Sequence, residues 1–212
     1  MSNGGVIGKR NVPGVDGFSG VWSLREIANA RRAGVVFPLV YDTFDSDTTA
    51  QYTQFSDSPA TWAISGGELV ATGGTQSVFI RNGTSYANTA VEADINHAHD
   101  SGLVLRFIDN SNYYLLALSD DSGAAPTINA RMFKRVSGAF TAIGGTTDFV
   151  WTRGTSKTIR FTASGTTLTV YVDGAQILTV TDSAIAGPGG VGMRNNLGGQ
   201  QTKFQAFREY SL

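Results

Sequence analysis

The sequence predicts an all-β protein, an antiparallel sandwich preceded by an extended arm and one short helix. Three observations carry this reading. The composition, with 26 Gly, 23 Thr and 10% aromatic residues against only 16% charged ones, favours strands and turns and excludes a helical bundle or coiled coil. After Val40 the apolar residues recur at every second position, the period of a half-buried strand. Each such run is bounded by Gly, Asn, Asp or Pro, the residues of tight turns. One sandwich domain can use most of the 212 residues. A hydrophobic content of 41% is too high for a disordered chain, and no apolar run approaches the roughly 20 residues of a membrane span, so no membrane insertion is expected.

The arm comes first. Six glycines lie among the first 20 residues without hydrophobic periodicity, so this stretch cannot bury itself. Ser23 with Glu26 three residues on forms a capping box, which predicts a helix of about nine residues. Leu24, Ile27, Ala28 and Arg31 share one face of it, Gly34 stops it and Pro38 forbids continuation. Together with Val21, Trp22 and Phe37 that face needs a partner, because so short a helix is marginal alone.

The strands follow. Ile159, Phe161 and Ala163 alternate along one run, a turn at Ser164-Gly165 leads to Leu168, Val170 and Val172, and Asp173-Gly174 makes a second tight turn into residues 175–181, a three-stranded meander. Further strands are expected at 76–81, 89–96, 102–108, 113–119, 127–136, 139–143, 189–194 and 202–210.

Sixteen Lys and Arg against 17 Asp and Glu leave a net charge of -1, which gives no reason to expect nucleic acid as a partner. The charge is unevenly placed: residues 1–40 carry five basic and two acidic groups, the rest 11 and 15, so the two parts are expected to face different partners. With no Cys and only His97 and His99, disulfides, thiol chemistry and Cys-ligated metals are excluded. The N-terminus has no apolar region of about 7–15 residues, so no secretory signal is expected.

Two stretches carry family resemblances. The run from Leu168 through Asp173-Gly174 to Ser183, the Gly187-Pro-Gly-Gly segment and Phe204-Gln-Ala-Phe resemble the last strands of the concanavalin A-like, or laminin G-like, jelly roll; Tyr41-Asp-Thr-Phe-Asp resembles its opening strand, and Gly102-Leu-Val-Leu-Arg-Phe with Asn112-Tyr-Tyr-Leu-Leu its middle. The resemblance implies a jelly-roll sandwich over residues 41–212. In the arm, Gly5-Val-Ile-Gly, Ser19-Gly-Val-Trp-Ser-Leu-Arg-Glu and Phe37-Pro are similar to a segment that opens many tailed-bacteriophage virion proteins, which usually close it with Trp-Pro. That implies a virion location, with residues 1–39 docking on capsid or tail proteins through Val21, Trp22, Leu24, Ile27, Arg31 and Phe37, and self-association into a homo-oligomer. Two roles fit: a tail-fibre or short-fibre appendage that adsorbs to host glycans, or a capsid decoration that binds only virion proteins.

Three groups of residues are candidates for chemistry. Glu92-Ala-Asp94 resembles the strand motif of jelly-roll glucanases, but where those have a second Glu this sequence has His97, so the paired carboxylates of retaining hydrolysis are missing and the expectation is that the chain is not an enzyme. No cofactor is expected. His97, His99 and Asp100 read as a polar loop rather than a metal site, and oxygen donors at 109–112 and 120–123 are calcium candidates that serve equally as hairpin turns. For glycan binding, the candidate stacking residues are Trp62, Tyr86, Tyr114 and Trp151, with Tyr113 and Tyr114 necessarily on opposite faces of their strand. Arg131, Lys134 and Arg135 read as a polar strand face.

Overall fold

The computed structural model describes residues 38–96, 100–119, 127–152, 154–196 and 201–212. The arm, the helix from Ser23 and the docking residues Val21, Trp22, Leu24, Ile27, Arg31 and Phe37 lie outside the described residues, as do His97, His99 and the 120–123 tract.

Fifteen strands are described: β1 (Val40–Asp42), β2 (Tyr52–Phe55), β3 (Thr61–Ser65), β4 (Glu68–Thr72), β5 (Ser77–Arg81), β6 (Thr89–Asn96), β7 (Asp100–Asp109), β8 (Asn112–Ser119), β9 (Thr127–Val136), β10 (Ala139–Val150), β11 (Ser156–Ser164), β12 (Thr167–Val172), β13 (Ala175–Thr181), β14 (Gly190–Asn195) and β15 (Gln201–Ser211). They form two antiparallel sheets. The first runs β13-β12-β11-β6-β15-β4-β3, with β1 also paired to β15; the second runs β10-β9-β8-β7-β14-β5-β2. This is a jelly-roll sandwich. A single 3-10 turn, Thr49–Gln51, is the sole helical element among the described residues, and none of their helices is long and apolar enough to cross a membrane.

Alternation decides which side chains enter the core. Val91, Ala93 and Ile95 of β6, Ile159, Phe161 and Ala163 of β11, and Leu168, Val170 and Val172 of β12 all face the other sheet, where Leu103, Leu105, Leu116 and Met193 meet them. Trp62 and Tyr52 each stack on Phe79, at 4.8 and 5.0 Å. Burying such side chains stabilises by about 1.5–3 kcal/mol each.

Two boundaries differ from expectation for physical reasons. The turn between β11 and β12 is Gly165-Thr166, not Ser164-Gly165, because Ala163 pairs with Leu168 and Ser164 with Thr167; slipping by one residue would turn one strand's apolar set to solvent. Strand β10 continues past residue 143 to Val150, since Gly144 and Gly145 form a bulge inside the strand rather than its end. Gly144 has φ 75° there, and a Cβ would strike Val180 of β13. Strands β2 to β4 have no counterpart among the expected runs.

Among the described residues, Arg106, Arg194 and Glu209 are the most deeply buried charged groups. Arg106, with φ 49°, donates to the backbone carbonyls of Ala87 (2.9 Å), Ile185 (2.8 Å) and Gly165 (2.5 Å), tying three loops together. Arg194 pairs with Asp100 at 2.6 Å. Glu209 is fully buried on β15.

Candidate functional site

The outer face of the first sheet carries a groove of about 470 Å³. Its walls come from alternate residues of adjacent strands, which antiparallel pairing lines up in rows. One row crosses the sheet as Tyr41, Arg208, Glu92, Arg160 and Tyr171, from β1, β15, β6, β11 and β12. Aromatic, cation, anion, cation and aromatic therefore stand side by side. Beside it, Thr162 and Thr169 face each other across β11 and β12, as do Thr158 and Asp94 across β11 and β6. Leu212, half-exposed at the C-terminus, closes one side.

The charges on this face are shared unequally. Arg208 bonds Glu92 Oε1 at 3.2 Å and Asp94 Oδ2 at 2.8 Å, and its guanidinium lies 4.9 Å from the Tyr41 ring. Burial works against its positive form, but Asp94 and Glu92 more than offset that and raise its pKa. Glu92 Oε1 also accepts from the Tyr210 hydroxyl at 3.2 Å. Burial first, and the Glu92 charge second, push the Tyr210 hydroxyl up, so it stays a donor. Asp94 Oδ1 accepts from Thr158 at 2.6 Å. Arg160 is looser: its guanidinium lies over the Tyr210 ring, 4.4 Å from its centre, approaches Glu92 Oε2 only to 3.9 Å, and its Nε has no hydrogen-bond partner among the described residues.

A smaller hollow, about 230 Å³, lies on the second sheet over Leu115, Ala117, Phe133 and Phe140. Its polar end is occupied internally, because Arg194 is bound to Asp100, to Gln76 at 3.0 Å and to the Ser101 carbonyl.

Glu92 and Asp94 face outward, as alternation predicts, and their partners come from β11 and β15. The aromatic candidates fare differently. Tyr114 and Trp151 are shut into the core and offer no stacking face: the Tyr114 hydroxyl donates to Asp182 Oδ1 at 2.7 Å and accepts from Ile185 N–H, with its pKa pushed up to about 12 by burial and that carboxylate, while the Trp151 indole donates to the Thr155 carbonyl and stacks on Phe149. Trp62 is half-buried against Phe79 and Phe204. Tyr86 is half-buried beside Gly189 and does not line the groove. The aromatic that does line it is Tyr171. Tyr113 and Tyr114 point to opposite faces, and both are buried. Lys134 pairs with Asp182 and Arg135 with Asp57. In the 109–112 tract the Asp109 carboxylate accepts from Ser111 N–H at 2.7 Å and from Asn112 at 2.9 Å, so its oxygens complete the hairpin turn. The described residues contain no cluster of three His, Cys, Asp or Glu placed to hold a metal.

No protein-family model matches this sequence, and no curated protein does. Solved structures do. The carbohydrate-binding module CBM66 from Bacillus subtilis superposes with a TM-score of 0.61 at 18% identity, over 76% of this chain and 96% of its own. A Bacillus subtilis protein of galectin-like fold gives 0.62 at 12% identity, over 82% and 96%, and a Bacillus licheniformis β-glucanase 0.60 at 12% identity, over 82% and 98%. The fold is a concanavalin A-like jelly roll. At such identities the likeness shows the fold alone. It also overturns the expectation, drawn from His97, that the chain is not an enzyme: glycoside hydrolases, the β-glucanase among them, share this fold with binding modules, so a missing motif residue does not set the chain apart from them.

Proposed function

We propose that this jelly roll binds carbohydrate in the groove across its first sheet. The observation that carries the reading is the row from Tyr41 to Tyr171, in which one donor, Arg160, and one acceptor oxygen, Glu92 Oε2, stand 3.9 Å apart without a hydrogen bond between them inside a groove of about 470 Å³. Sugar hydroxyls need donors and acceptors side by side, and their apolar ring faces need an aromatic edge such as Tyr171. That a carbohydrate-binding module and a galectin-like protein share the fold supports this. The test is a glycan array on the full chain, with Tyr171→Ala as the control. Binding lost with Tyr171→Ala supports the reading, and a silent array on folded protein overturns it. Scoring the bound glycans for new reducing ends reports any cleavage.

The second part of the proposal rests on the resemblance of residues 5–38 alone: the chain is a phage virion appendage, docked by residues 1–39 and displaying residues 41–212, with a capsid decoration as the alternative. Loss of particle incorporation on deleting residues 1–39, with the remainder still folded, supports it. Unaltered incorporation overturns it.

A further inference from the structure

We infer that the glycan held in this groove is uncharged and is gripped through a hydroxyl that bridges Arg160 and Glu92. The inference rests on the carbohydrate-binding reading and adds the ligand's chemical class. Glu92 Oε1 is spent on Arg208 and Tyr210 at 3.2 Å each, whereas among the described residues Oε2 is approached only by Arg160, at 3.9 Å. The Arg160 guanidinium rests 4.4 Å from the Tyr210 ring, which favours its place beside Glu92. The 3.9 Å gap between Arg160 Nη1 and Glu92 Oε2 is too long for a direct bond and suits an inserted hydroxyl, since two bonds of about 2.8 Å meeting near a right angle span about 4 Å. Such a hydroxyl donates to Oε2 and accepts from Nη1, using both of its capacities. Its neighbour on the next ring carbon then meets Thr158 or Thr162, which flank Arg160 at two positions either side on β11.

An acidic sugar fits this face poorly. Among the described residues, the cations on it already face carboxylates: Arg208 with Asp94 and Glu92, Lys203 with Glu68 at 3.2 Å, and Arg160 with Glu92. A sulfate or carboxylate on Arg160 would also be repelled by the Glu92 carboxylate, 3.9 Å from that guanidinium, in a sequence with 11 basic against 15 acidic groups beyond residue 40. A hydroxyl meets no such repulsion.

The experiment measures retardation of the full chain in gels containing barley β-glucan, galactomannan or xyloglucan as neutral probes, and κ-carrageenan or alginate as acidic ones. Retardation by at least one neutral polymer and by neither acidic one is expected, with little change between about 0.05 and about 0.5 M salt. Glu92→Gln and Arg160→Met, each confirmed folded by its melting curve, should weaken that binding by at least about 10-fold. Retardation by carrageenan or alginate but by no neutral polymer overturns the inference while leaving carbohydrate binding in place. So does neutral binding that survives both substitutions. No retardation by any of the five polymers removes the carbohydrate-binding reading and the inference with it.

Discussion

Arg106→Met tests whether the jelly roll's loops are held by one buried cation. Arg106 is 1% exposed and pairs with no carboxylate among the described residues. Its three donors end on the carbonyls of Ala87, Ile185 and Gly165, which belong to the segments before β6, between β13 and β14, and between β11 and β12. Methionine keeps much of the side-chain bulk and leaves the φ of 49° unchanged, so the substitution isolates the hydrogen bonds. Each such bond to a charged donor is worth about 1.5–3 kcal/mol, and a carbonyl left dry costs about 1–3 kcal/mol. Against this, removing the guanidinium relieves its desolvation, which burial makes large enough to lower its pKa. The net loss should be about 3–5 kcal/mol, or about 6–20 °C in Tm for a domain of this size. Guanidinium chloride unfolding followed by tryptophan fluorescence reads the loss directly, with the slope expected to stay constant. A loss under about 1 kcal/mol would refute the reasoning, showing that the three loops hold their places without the staple.

Glu209 predicts a pH effect. Burial raises its pKa, and Thr84 and Arg81 only partly oppose this, while neither carboxyl oxygen has a donor in hydrogen-bond geometry. A raised folded pKa means that the stability gained from protonation is present below the unfolded value and is lost as pH rises through the folded one. Glu209→Gln should therefore melt higher than the parent at pH 7, by a margin that shrinks towards pH 4; a margin independent of pH would count against it. Asp100→Asn leaves the Arg194 guanidinium buried without its 2.6 Å partner, and urea unfolding should register a loss of about 3–5 kcal/mol. An unchanged midpoint would mean that water reaches Arg194.

Much of the sandwich is legible because a strand's period of two does not depend on its partners. Residues 89–96 and 127–136 are strands with the expected bounds, and Glu92 and Asp94 face outward because Val91, Ala93 and Ile95 must face inward. The region from 52 to 72 is less legible because β2 and β3 lie at the edges of their sheets, where burial on one face is incomplete. The glycines at 144 and 145 look like a turn and serve as a bulge, a choice that the long pairing with β9 makes.

The candidate site divides in the same way. Local alternation could place Glu92 on the outer face, but not its partner Arg208, which lies 116 residues away and reaches it only through the register of β15 on β6. Nor could composition tell Tyr171, which lines the groove, from Tyr114 and Trp151, which fill the core. An aromatic is apolar enough to satisfy either face of a strand, so its own chemistry does not choose between them. Most of the architecture is local in origin, since hydrophobic period and turn residues act over a few neighbouring positions. The row of charges and the groove beside it belong to the tertiary structure, because only the alignment of distant strands brings Arg208, Glu92 and Arg160 side by side.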